Sequence, residues 1–234
     1  MKNYLKIISF GMIVVVFVGV LIYYQKPKNG SLNNNPSVIS EETILGTYIG
    51  RLVNDVYVLT ISLEQGESFT GKLDIKNFEK DSSTGTLAGT YKNGILLADY
   101  TFQSEGMKSV GWVAFKKVDG GFIRGFGDTG TEERAQFIDL SKITFDTTVV
   151  YKLVTNVINS VVFKCADNKN IKAIFYKDAV DITLSDGRKM LLPQTLSASG
   201  ARYANFNESL VFWNKGDTAF INEGNTTTYK DCSL

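Results

Sequence analysis

Two short stretches late in the chain hold the residues best equipped for chemistry. "SASGARY" (197–203) sets Ser199 before Gly200, with Tyr203 three positions on; a dozen residues later "FWNKGD" places Lys215 and Gly216 in a polar turn behind Phe212 and Trp213. A serine hydroxyl both donates and accepts a hydrogen bond, whereas a lysine ammonium donates three and accepts none. Glycine lets the backbone turn tightly and approach another surface closely. Such groups suit either a nucleophilic Ser-Lys dyad or the recognition of carboxyl groups on a partner. The dyad requires a neutral, desolvated lysine, yet Asn214, Gly216 and Asp217 form a polar turn that favours the ammonium. The chain therefore reads as a binder, not an enzyme. It has no histidine and only two cysteines, which excludes a structural zinc site and any Ser-His or Cys-His pair. No metal or cofactor is expected.

Taken singly, Ser199 and Lys215 are ordinary turn residues; their weight comes from the elements that must position them. From about Leu45 to Asp128 the chain runs in short apolar-alternating segments: Val56–Leu63, Phe69–Ile75, Gly85–Tyr91, Ile95–Phe102, Val110–Val118 and Gly121–Asp128. Turn signals such as Lys92-Asn93-Gly94 and Asp119-Gly120-Gly121 separate them, and no helical periodicity competes. Residues 44–128 thus read as a β-meander or small lipocalin-like barrel, a form able to enclose one small ligand. A second series of six- and seven-residue strands fills 160–234, with Asp186-Gly187 as a hairpin turn. Residues 129–159 read as a connector, in which 147–158 fits a strand or a short helix equally well. The fold class is all-β.

The N-terminal end differs. Ile7–Tyr24 is an uncharged run of 18 residues, about 27 Å as a helix at roughly 1.5 Å per residue, close to a bilayer core. It exceeds a signal-peptide core and lacks a small-residue cleavage site, so 1–24 reads as a cytoplasmic stub and signal-anchor helix. Residues 25–43, rich in Asn, Ser and Pro, read as a flexible linker. Cys165 and Cys232 bracket the C-terminal third: two buried thiols, or a disulfide whose loop closure contributes roughly 4 kcal/mol and implies an oxidising compartment. With the bridge, the chain becomes a single-pass membrane protein whose C-terminal domains are extracytoplasmic. With 25 basic and 24 acidic residues, there is no electrostatic reason to expect nucleic acid.

The order of motifs from about Val162 to Leu234 resembles the MliC family, bacterial periplasmic inhibitors of c-type lysozyme. The resemblance is carried by Phe163-Lys164-Cys165, the hairpin "ITLSDGRKMLLP", "SASGARY", "LVFWNKGDTAFI" and the closing "YKDC". It implies an eight-stranded antiparallel barrel closed by a Cys165–Cys232 bridge. It also implies a c-type lysozyme as partner, bound through Ser199, Gly200 and Tyr203 of one loop and Lys215 and Gly216 of another. Ser199 and Lys215 would reach a glycosidase cleft whose two carboxyl groups lie about 5 Å apart, one protonated and one ionised. Asn214 stands where the family usually has Ser or Thr. No lipid-accepting cysteine lies near the N-terminus, so the Ile7–Tyr24 run would replace a lipid anchor. The other reading is a non-enzymatic cell-envelope module that binds peptidoglycan, lipid or a surface protein.

Overall fold

A computed structural model describes residues 43–104, 107–130 and 134–234. Ile7–Tyr24, the expected anchor, lies outside these residues; among those described, no helix is long and apolar enough to cross a membrane. Helical structure among them is confined to two 3₁₀ turns, Leu140–Lys142 and Ala166–Asn168. Everything else that is regular is β.

The first sheet comprises β1 (Gly46–Leu52), β2 (Asp55–Gln65), β3 (Ser68–Lys76), β4 (Ser83–Lys92), β5 (Ile95–Ser104), β6 (Met107–Val118), β7 (Gly121–Phe126), β8 (Arg134–Ala135) and β9 (Thr144–Leu153). Its order is β5-β4-β3-β2-β1-β9-β7-β6-β8, and a further β5–β6 ladder closes eight of the strands into a barrel, with β8 parallel on β6. The connector expected over 129–159 therefore holds β8 and β9, and β9 links β1 to β7. At the Asn93-Gly94 turn the backbone φ is 52° at Asn93 and 78° at Gly94. Positive φ at both central residues is the mark of a type I′ hairpin. The barrel interior is occupied by Tyr48, Leu59, Leu73, Leu96, Phe115, Phe122 and Tyr151. Tyr48 and Phe122 meet edge-on at 4.9 Å. Burial pushes the Tyr151 hydroxyl up to about 12.

The second sheet is a closed eight-stranded barrel in sequence order: β10 (Val157–Lys164), β11 (Asn170–Tyr176), β12 (Ala179–Leu184), β13 (Lys189–Thr195), β14 (Ala201–Ala204), β15 (Leu210–Lys215), β16 (Thr218–Glu223) and β17 (Thr226–Ser233). Alternation sends Phe163, Ile171, Ile182, Leu192, Phe212, Ile221 and Tyr229 inward. The ring closes between β10 and β17 through a single partner pair, Lys164↔Ser233. Next to this short ladder the Cys165–Cys232 disulfide joins the two ends, 67 positions apart in sequence. The covalent bond sits where hydrogen bonding between neighbours is thinnest.

The barrels pack against each other as one compact unit. This explains a run such as "VYVL" in β2, which is apolar on both faces. Tyr57 and Leu59 face the first barrel's interior, whereas Val56 and Val58 meet Ala179, Tyr176 and Leu191 of the second. Ile49 and Val154 complete this seam.

Candidate functional site

The two stretches singled out in the sequence come together because of strand register. Residues 196–200 join β13 to β14, and Lys215 to Thr218 form the turn between β15 and β16. β14 and β15 are antiparallel, with Ala201 opposite Asn214, so the first residue after the serine loop lies beside the last residues before the lysine turn. Both segments lie on one rim of the C-terminal barrel.

The loop tip is held from below. Trp213 projects outward from β15, where its ring stacks on Phe220 across the strand pair at 5.1 Å. Its Nε1 donates to the Ser199 carbonyl at 3.0 Å, and Ser197 Oγ donates to the same carbonyl at 2.7 Å. Gly200 has φ +71°, and a Cβ there would lie 2.6 Å from the Asn214 carbonyl oxygen and 2.8 Å from Trp213 Cζ2. Only glycine lets the loop lie flat on that indole. Phe212, the alternate residue, is fully buried, so one aromatic of the pair is core and the other carries the loop.

In the second turn, Lys215 pairs with Thr218 across a two-residue loop, and Gly216 takes φ +55°. Thr218 Oγ1 donates to the Lys215 carbonyl at 2.9 Å, and the Leu234 N–H donates to the Asp217 carbonyl at 3.1 Å. The backbone is thereby fixed while the lysine side chain is left in solvent. Ser199 and Lys215 are both exposed, and among the described residues neither side chain engages another. The rim offers a hydroxyl and an ammonium on adjoining, braced loops.

Tyr203 is placed differently. It is 5% exposed, and its ring lies 6.0 Å from both Phe175 and Phe212 in the barrel core. Burial pushes its hydroxyl above the ordinary phenol value. It supports the strand under the loop and presents no ring to a partner. Asn214 keeps a buried Oδ1 without a hydrogen-bond partner among the described residues, a feature that costs on the order of 1–3 kcal/mol.

Sequence reasoning missed the stems of the loop. Gln194 and Thr195 enter it and Arg202 leaves it, with Thr195 opposite Arg202. Arg202 Nη1 donates to Thr195 Oγ1 at 2.8 Å, and its Nη2 donates to Glu208 Oε2 at 2.6 Å. Glu208 also accepts from Lys76 of the first barrel. Arg202 and then Lys76 hold the Glu208 carboxyl well below the usual range, at about 2. Lys76 lies 132 residues from Glu208, and no local motif announces the network. Among the described residues, no group of three or more histidine, cysteine or acidic side chains could hold a metal ion.

Comparison with known proteins bears on this barrel alone. Residues 163–229 match the family model for the membrane-bound lysozyme-inhibitor of c-type lysozyme, MliC. A Yersinia enterocolitica protein named "Membrane-bound lysozyme inhibitor of C-type lysozyme" is 40% identical over 58 residues, covering 25% of this chain and 47% of that protein. The chain thus spans about half the length of that curated relative. No solved structure matches. The matched segment contains the serine loop, the lysine turn and strands β11 to β16. The C-terminal barrel of this chain belongs to the MliC family.

Proposed function

We propose that the chain is a membrane-anchored inhibitor of c-type lysozyme that protects peptidoglycan by plugging the enzyme's cleft with the 196–200 loop and the Lys215-Gly216 turn. The observation that carries this reading is the exposure of the Ser199 hydroxyl and the Lys215 ammonium, both unengaged, on two adjoining loops whose backbones are pinned. In a water-poor cleft an ammonium pairs with the ionised carboxylate, and a hydroxyl serves a carboxyl group in either protonation state. Gly200 and Gly216 keep the tips slim, and Tyr203 stiffens the strand beneath. No bond is made or broken, so the protein acts by occupancy. The uncharged Ile7–Tyr24 run supports a single-pass anchor, and the disulfide supports placement outside the cytoplasm.

The test is hydrolysis of a cell-wall suspension by a c-type lysozyme, titrated with the oxidised full chain. Inhibition near stoichiometry is expected. Ser199→Ala with Lys215→Ala should weaken it by about 30-fold or more, the scale set by losing a buried charged contact. Undiminished inhibition by that double variant would remove the two loops from the mechanism. Binding to purified cell wall without lysozyme, and no inhibition, would favour an envelope-binding module instead.

A further inference from the structure

The first barrel has no counterpart in the family match, which begins at Phe163, yet it grips the enzyme-facing loop of the second at both stems. On the entry side, Arg51, near the end of β1, reaches across the seam. Its Nη2 donates to the Gln194 carbonyl at 2.8 Å and to the Asp178 carbonyl at 3.1 Å. The Gln194 N–H donates to that same Asp178 carbonyl at 2.8 Å, so the guanidinium caps the point where two segments of the second barrel meet. Arg51 Nε lies 3.5 Å from Asp178 Oδ1, an ion pair without hydrogen-bond geometry. Two residues beyond Gln194 the loop begins.

On the exit side the link is a relay. Lys76, at the end of β3, donates to Glu208 Oε1, and Glu208 Oε2 accepts from Arg202, two residues past Gly200. An apolar seam that includes Ile49, Val56, Val58 and Leu191 joins the same two barrels. Among the described residues, the hydrogen bonds to the tip come from within the second barrel, from Trp213 and Ser197.

From this arrangement we infer that the N-proximal barrel is a clamp that pre-organises the 196–200 loop, with Arg51 and Lys76 as positioning residues. A five-residue loop whose stems are free samples conformations that do not fit a cleft, and apparent affinity falls in proportion to the competent fraction. Holding both stems removes that loss before the partner arrives. The importance of the loop for binding rests on the lysozyme reading, but the clamp itself does not. Arginine suits the entry link because one planar guanidinium can serve two carbonyls and a carboxylate together, which a lysine ammonium does less well.

The seam can be tested without any partner. The chain has two tryptophans, so Trp112→Phe leaves Trp213, directly beneath Ser199, as the sole indole reporter. In that background Arg51→Ala with Lys76→Ala should shift Trp213 emission to the red and raise its quenching by acrylamide, with strand content unchanged by circular dichroism. Arg51→Lys should restore part of the signal. Glu208→Gln leaves the apolar seam intact and breaks only the relay; it supplies the readout if the double variant fails to fold. Against lysozyme, the double variant should bind about tenfold more weakly, as expected if nine loops in ten are out of position. Unchanged Trp213 emission and quenching in both Arg51→Ala/Lys76→Ala and Glu208→Gln would overturn the clamp. A parent chain that fails to inhibit lysozyme would refute the function proposed above while leaving the Trp213 result to decide the clamp.

Discussion

Gly200→Ala should damage the protein by far more than a methyl group suggests, and Gly216→Ala supplies its control. Both glycines have positive φ, +71° at Gly200 and +55° at Gly216. Each alanine therefore incurs the left-handed backbone penalty of about 1 kcal/mol. They differ in surroundings. A Cβ on Gly216 meets nothing within 4 Å, whereas one on Gly200 would sit 2.6 Å from the Asn214 carbonyl oxygen and 2.8 Å from the Trp213 ring. That carbonyl belongs to a strand paired on both sides, so the loop must move instead. Lifting it breaks the Trp213–Ser199 hydrogen bond, worth roughly 1 kcal/mol, and leaves the Ser199 carbonyl short of a donor. The total for Gly200→Ala is about 2–3 kcal/mol against about 1 for Gly216→Ala. At roughly 2–4 °C per kcal/mol for a protein of this size, the melts should fall by about 4–12 °C and about 2–4 °C. Thermal unfolding of the oxidised chain followed by circular dichroism reads the difference, and Trp213 emission reports whether the loop has lifted. Equal melting temperatures, with Trp213 unchanged, would refute the collision argument.

Other outcomes follow from single features. Val53 is a β-branched residue at φ 55° in the β1–β2 turn, and it is 91% exposed. Val53→Gly should therefore raise the melting temperature by about 2 °C, as strain relief exceeds the added chain entropy. Reduction of Cys165–Cys232 should lower stability by about 4 kcal/mol, visible as an earlier denaturant midpoint with dithiothreitol than without. Glu208 is held at about 2 in the folded chain against an unfolded value near 4.5. Its contribution is therefore complete above about pH 4.5 and is lost as pH falls towards 2. Because that carboxylate is partly solvated, the contribution is about 1 kcal/mol or less. Glu208→Gln should flatten this part of the acid-denaturation curve, lowering neutral-pH stability by about 1 kcal/mol or less and converging with the parent near pH 2.

Elements defined by local chemistry were legible in the sequence, and those defined by distant partners were not. Hairpins announce themselves through Asn93-Gly94, Asp186-Gly187 and Lys215-Gly216, and the strands beside those turns lie close to where alternation places them. β1 is obscured by two glycines, Gly46 and Gly50, in a seven-residue strand. β9 is undecided from sequence because its partners, β1 and β7, are remote and its apolar residues face a barrel that closes only once they arrive. The serine loop and lysine turn are visible as motifs, but their adjacency depends on the Ala201↔Asn214 register. Tyr203 can be identified by its motif spacing, yet its burial follows from β14 alternation opposite Phe212. Arg51 could not be found at all, since its acceptors are carbonyls 127 and 143 residues away.

The link between the barrels is only 154–156, and it is not slack: the Val154 N–H donates to the Thr47 carbonyl at 2.9 Å, and its side chain packs into the seam. The boundary of the family match invites cutting the chain just before Val157 and treating the remainder as a portable module. Such a cut would bare Tyr176, Ala179 and Leu191 on one product and Ile49, Val56 and Val58 on the other, two oily scars of complementary shape. Each half would then tend to pair with itself or to seek its lost neighbour. Shuffling the C-terminal barrel onto another carrier would need those positions rewritten as polar, and the unit that can be inherited or transplanted whole is the pair.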